Sequence, residues 1–207
     1  MTATARPAAP ATNIPIRLAT IIASTRPGRF GPVAGNWFAG LAAARDDVEH
    51  DLIDLLEVGL PATFPSEPND AVDAYLARID RADAFVVVTP EYNHGYPAPL
   101  KQAIDLAGVE WRRKAVGFVS YGGFAGGTRA VEQLRPVFAE LHCTSVREMV
   151  SFHQFWERFD ERGQPRDAAA ADAAATVMLD DLVWWASALR TARRGDEAQP
   201  DADLTAA

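Results

Sequence analysis

The segment Asp83-Ala-Phe-Val-Val-Val-Thr89 has no polar residue between its ends and passes directly into Pro90-Glu-Tyr-Asn-His-Gly-Tyr-Pro97. A short, continuously apolar run suits a strand with both faces covered, as in a parallel sheet held between two layers of helices. Two prolines stiffen the loop that follows, and a helix is predicted over 98–107. The same alternation extends in both directions. Upstream, Arg17-Leu-Ala-Thr-Ile-Ile-Ala23 reads as the first strand. The loop 24–30 leads to a helix over 31–44, with Val33, Trp37, Phe38 and Leu41 at helical spacing. A second strand is predicted over 48–55. A proline-rich connection then leads to a helix over 69–81, with Asn69 as its N-cap.

Downstream, a fourth strand over 115–120 precedes a glycine-rich loop and a helix over 128–141. A fifth strand over 144–150 and a last helix over 166–189 complete the pattern. Five strands alternating with five helices imply right-handed crossovers and a parallel, doubly wound α/β sheet. The fold class suggests strand order 2-1-3-4-5. One domain is expected over 16–192, with a disordered leader at 1–15, rich in alanine, proline and threonine, and a disordered tail at 193–207, polar and containing alanine and aspartate.

Bulk properties narrow the function. The 207 residues carry a formal net charge of −8, which repels polyanions, so nucleic acid is not an expected partner. No apolar stretch approaches the roughly 20 residues that span a bilayer. The single cysteine, Cys143, excludes an intramolecular disulfide and fits a reducing, cytoplasmic location. Its neighbours mark it as a buried core thiol. His50, His94, His142 and His153 are scattered without ligand spacing, so no metal site is expected.

In such a sheet the loops after strands 1, 3 and 4 meet at the carboxyl edge, where ligands bind. The first, Ser24-Thr-Arg-Pro-Gly-Arg29, combines hydroxyls, two guanidinium groups and a helix N-terminus, as a phosphate site requires. It has neither the Walker pattern nor Gly-x-Gly-x-x-Gly. The second, Pro90-Glu91-Tyr92-Asn93, offers a flat aromatic face and an amide to a planar heteroaromatic ring. The third, Ser120-Tyr-Gly-Gly-Phe-Ala-Gly-Gly127, lets backbone approach a ligand closely. Phosphate at the first loop and a ring between the other two describe a mononucleotide with a large aromatic base, for which FMN is the fit.

These residues resemble the NAD(P)H-dependent FMN reductase family, which has a flavodoxin-like fold. The resemblance rests on Ile22-Ala-Ser-Thr-Arg-Pro-Gly-Arg29, on Pro90-Glu-Tyr-Asn93 followed by Pro99-Leu-Lys-Gln-Ala-Ile-Asp105, and on Ser120-Tyr-Gly-Gly123 with Gly126-Gly127 leading into Gln133-Leu-Arg135. It implies that Ser24 and Arg26, assisted by Thr25 and Arg29, hold the FMN phosphate. Pro90, Glu91, Tyr92 and Asn93 would line the isoalloxazine and ribityl portion, and Ser120, Gly122 and Gly123 would meet the pyrimidine edge. One departure is Ala23, where the family usually carries glycine.

The resemblance further implies a flavodoxin-like three-layer sandwich and a ping-pong reductase. NADPH or NADH would be the donor, and a flavin, quinone or related small molecule the acceptor. No side chain is assigned as catalytic, because the cofactor carries the hydride chemistry. A flavodoxin-like electron carrier or sensor, or a tailoring reductase dedicated to one metabolite, are the alternatives. The aromatic residues Phe152, Phe155, Trp156, Trp184 and Trp185 exceed what one covering helix needs, so a homodimer or homotetramer is expected.

Overall fold

Five parallel strands pair in the order β2-β1-β3-β4-β5 in the computed structural model, which describes residues 14–197. They are β1 (Ile16–Ile22), β2 (Val48–Asp54), β3 (Ala84–Pro90), β4 (Ala115–Gly122) and β5 (Thr144–His153). The expected order is therefore the observed one. Helices α1 (Gly31–Ala43), α2 (Leu55–Val58), α3 (Asp70–Arg81), α4 (Ala98–Leu106), α5 (Thr128–Glu140) and α6 (Ala168–Glu197) supply the crossovers and the covering layers.

Every residue of β3 and β4 is buried. One core, centred on Trp37, Phe38, Val86, Val119 and Leu182, lies beneath α1 and α6. The other, centred on Tyr75, Phe85, Trp111, Phe118 and Phe138, lies on the opposite face beneath α3, α4 and α5. The alternation of strand side chains divides Phe85 and Val87 from Val86 and Val88, so a single strand feeds both cores.

Local chemistry sets the helix boundaries. The Asn69 side chain accepts from the N–H groups of Ala71 and Val72, which makes it the N-cap of α3. Asp70 and Asp73 in the first turn, with Arg78 and Arg81 in the last, complement the dipole of α3. The α2 turn was not anticipated. It is a four-residue helix at the end of β2, capped by Asp54 and closed by Gly59 at φ 69°. The strand ends also differ from expectation, since β4 runs two residues further and β5 three, into the loops they feed. The last helix continues to Glu197, so residues 193–197, assigned above to a tail, are helical. The rest of that tail and most of the proposed leader lie outside the described residues.

Most of the aromatic residues offered as surplus pack within the chain. Phe152, Phe155 and Phe159 form edge contacts with Trp37, Phe30 and Tyr121, and Trp185 packs on the first core. The large exposed aromatic residues are Phe64, Phe124 and Trp156. Among the described residues no helix is long and apolar enough to cross a membrane.

Gly35 lets α1 approach β1, because a Cβ there would lie 2.6 Å from the Cδ1 of Ile22. Gly35→Val should therefore lower stability by about 1–3 kcal/mol through overpacking, read by urea denaturation with an unchanged m-value. Cys143 is buried, and burial pushes its thiol up to about 12. The native protein should be silent to a thiol-reactive chromogen, and one thiol should appear on unfolding.

Candidate functional site at the carboxyl edge

The three loops singled out in the sequence meet at the carboxyl ends of β1, β3 and β4. Loop one turns at Gly28, whose φ of 67° favours glycine. Among the described residues, the N–H groups of Thr25, Arg26 and Gly28 have no acceptor within the protein. The loop runs into α1, whose N-cap is Phe30, with no side-chain cap and no acidic residue in the first turn. Free amides at an uncapped helix N-terminus form an electropositive cup for an anion. The Arg26 guanidinium is exposed at its rim, 4.7 Å from the centre of the Tyr92 ring, and has no ion-pair partner among the described residues.

The two arginines of this loop have different surroundings. Arg29 is nearly buried and donates twice to the Asp54 carboxylate at 2.6 and 2.7 Å and once to the Ser24 carbonyl at 2.8 Å. Its hydrogen bonds to Asp54 raise its pKa above the ordinary guanidinium value. Asp54 also caps α2 through the Leu56 N–H at 3.0 Å. Arg29 thus ties the loop to the end of β2. Ser24 is fully buried, and its Oγ accepts from the Tyr121 hydroxyl at 3.1 Å. Burial raises the Tyr121 pKa, which keeps that hydroxyl a donor. A Cβ on Gly31 would lie 2.3 Å from the Ser24 Oγ, so glycine is needed where α1 begins.

Loop two closes on itself. Tyr92 and Gly95 exchange backbone hydrogen bonds at 2.8 and 3.1 Å around Asn93 and His94, both of which have positive φ. This is a two-residue turn with left-handed centres, strained at His94. Two α5 residues that were not assigned to the site hold it. Arg129 pairs with the nearly buried Glu91 and lies 3.1 Å from His94 Nδ1, while Gln133 donates to the His94 carbonyl at 2.8 Å. Buried Glu91 Oε2 and Arg129 Nε have no hydrogen-bond partner among the described residues. Arg129 and Gln133 stand four residues apart on one helix face, directly after Gly126-Gly127. That spacing was the available signal in the sequence.

Loop three starts later than expected, because Ser120, Tyr121 and Gly122 belong to β4. Ser120 and Ser151 both donate to the Gly126 carbonyl, at 2.8 and 2.9 Å, which folds the loop back over the strand end. A Cβ on Gly122 would approach the Gly127 nitrogen to 3.0 Å, and one on Gly123 would lie 3.5 Å from the Trp156 ring. Pro90 ends β3 opposite Tyr121, and the Glu91 N–H donates to the Tyr121 carbonyl at 3.1 Å. Loops two and three are thereby joined at their bases. All of the expected site residues lie at this edge, with Ser24 and Arg29 beneath loop one and Thr25 and Arg26 on its outer side.

Sheet order and edge loops define a flavodoxin-like α/β protein. More narrowly, the chain belongs to the NADPH-dependent FMN reductase family, which it matches over residues 16–157. It is 35% identical over 130 residues to an NAD(P)H-dependent FMN reductase of Schizosaccharomyces pombe, a match spanning 58% of this chain and 64% of that protein. It is 30% identical over 180 residues to an NAD(P)H:quinone oxidoreductase of Solanum tuberosum, spanning 79% and 90% of the two. The flavoenzyme FerB of Paracoccus denitrificans has the same fold, with a TM-score of 0.66 at 23% identity, covering 84% of this chain and 98% of that one.

The buried pair beneath loop one makes a direct prediction. Asp54→Ala leaves the Arg29 charge without its carboxylate, so stability should fall by about 3–5 kcal/mol, as expected for one partner removed from a buried pair. Thermal and urea unfolding measure it, and a loss within the range of a surface substitution would refute the anchoring role.

Proposed function

We propose that the chain is an FMN-dependent oxidoreductase that takes reducing equivalents from NADPH or NADH and reduces quinones, flavins or related small acceptors. The observation that carries this reading is the cup of loop one. Three amides without acceptors, an uncapped helix N-terminus and an exposed arginine suit a phosphate monoester. Thr25 and Arg26 would contact it from the rim. Ser24 would donate from the floor, since the hydroxyl proton of a group that accepts from Tyr121 is still available. Arg29 would act through the loop backbone rather than by touching the phosphate.

Pro90, Glu91, Tyr92 and Asn93 would line one side of the ring and ribityl chain, and Ser120, Gly122 and Gly123 the other. The Arg129 and Gln133 clamp keeps that turn in place. Bound there, FMN supplies two-electron hydride transfer between nicotinamide and acceptor in alternating half-reactions. The protein binds, orients and excludes water. Exposed Phe124 and Trp156 border loop three and are the apolar surface most suited to a second subunit, in line with a homodimer or homotetramer.

Anaerobic rapid mixing of the FMN-loaded protein with NADPH or NADH should bleach the flavin absorbance, the faster donor marking the preference. FMN that stays oxidised with both would overturn the reductase reading. Charge-assisted hydrogen bonds contribute about 1.5–3 kcal/mol each, so Arg26→Ala with Ser24→Ala should weaken FMN binding more than tenfold. Unchanged affinity by fluorescence titration would place the phosphate elsewhere.

A further inference from the structure

The opposite end of the sheet carries a second charged concavity. A cavity of about 460 Å³ opens at the amino edge, bordered by residues that immediately precede β1, β3 and β4. Seven basic side chains line it, against two carboxylates, Asp80 and Asp83. This concentration of positive charge stands on a chain whose net charge is −8. The seven residues of β3, at about 3.3 Å each, put it roughly 23 Å from the loops at the carboxyl edge.

Two of the seven cations are answered outside the cavity, Arg17 by Glu49 at 3.5 Å and Arg81 by Asp51 at 3.6 Å. Asp83 serves two arginines at once, Arg190 at 3.1 Å and Arg193 at 2.8 Å, and also accepts the Arg17 N–H at 3.2 Å. Lys114 is only 4% exposed and gives its ammonium protons to two carbonyls, Ile79 at 2.8 Å and Asp80 at 2.6 Å. No carboxylate bonds it, and an ammonium has three protons to donate. Burial, then the Arg193 charge, pull its pKa down to about 8 against the opposing charges of Asp80 and Asp83, and the ammonium also lies 5.6 Å from the centre of the Phe85 ring. Arg112, half-buried, and Arg194, exposed, have no side-chain partner among the described residues. Buried and clustered like charges are costly unless an opposite charge joins them.

We propose that this amino-edge cavity binds a multiply charged phosphate group, either a free polyphosphate or the phosphates of a nucleotide. Lys114 presents its remaining proton from the floor, and Arg112 and Arg194 close on the anion from the rim. Arg190 and Arg193, held by Asp83 and by backbone carbonyls, shape the wall. Val109, 65% exposed at the lip, offers an apolar surface beside the charge. A site here is chemically separate from the FMN site, so either can fail without the other.

Calorimetric titration of the FMN-saturated full chain with inorganic tripolyphosphate at physiological salt should give one site, without release of FMN. The double variant Arg112→Glu, Arg194→Glu should weaken it at least tenfold and leave FMN binding unchanged. Arg26→Ala should do the reverse. Lys114→Met should weaken tripolyphosphate binding as well, and because both rim residues are accessible enough for the fold to persist, the double variant covers the case in which Lys114→Met does not fold. Tighter binding of adenosine diphosphate than of tripolyphosphate would identify a nucleotide, and equal or weaker binding a polyphosphate group alone. The proposal is overturned if the double variant binds tripolyphosphate like wild type, if FMN and tripolyphosphate compete, if both are lost together, or if sulfate binds as tightly.

Discussion

Burial of β3 on both faces is the constraint from which the rest of the molecule follows. A strand with no exposed residue needs neighbours on either side and cover above and below, and here both neighbours are parallel and the cover is helical. Each parallel pairing needs a crossover, and each crossover leaves the sheet at its carboxyl edge. Loops one, two and three are therefore not independent features that happen to lie close together. They are brought there by the pairing of β1 and β4 with β3, and their chemistry can be combined because the sheet fixes their spacing.

Within that edge the protein separates rigid parts from receptive parts. The β1–β2 register sets Ile22 opposite Asp54, which brings the carboxylate under loop one and lets Arg29 anchor it. Tyr121, at the end of β4, reaches the Ser24 hydroxyl from the other side. With both flanks fastened, the amides of Thr25, Arg26 and Gly28 stay unpaired because the loop is not free to fold onto them. Such preorganisation avoids an ordering cost on binding. The turn of loop two is held in the same way by Arg129 and Gln133 from α5, despite the strained backbone at His94.

The sequence made some of this legible and hid the rest, for identifiable physical reasons. Strand order and the three loops were readable because uninterrupted apolar runs and Pro/Gly clusters are local signals. Arg26 and Arg29 looked equivalent, since both stand in one short loop. They differ through Asp54, which lies 25 residues further along and arrives only by strand pairing. Arg129 was legible only through its four-residue spacing from Gln133 on one helix face, while the turn it meets is brought to it by the pairing of β3 with β4. Of the aromatic surplus, Phe152, Phe155 and Trp185 pack within the chain while Trp156 stays exposed. Phe30, Phe155, Phe159 and Trp37 satisfy one another within one chain, through contacts that residue counts cannot reveal.

The two ends of the sheet also solve an electrostatic problem differently. The dipole of an extended strand is small, so neither edge receives much field from the sheet itself, and each builds one from side chains, helix ends and loose amides. At the carboxyl edge the helix N-terminus and free N–H groups do most of that, and one exposed arginine completes it. At the amino edge the helices present their carboxyl ends, whose dipoles favour cations. Basic residues gather there for that reason, Arg78 and Arg81 at the end of α3 and Arg194 in the last turn of α6 among them. Helix-end chemistry accounts for cations along the exposed rim. It does not account for Lys114, which is buried, hydrogen-bonded to the Ile79 and Asp80 carbonyls and seated 5.6 Å from the centre of the Phe85 ring. An anion in the proposed site would complete its surroundings, and Lys114 is what sets that cavity apart from a set of solvated helix ends.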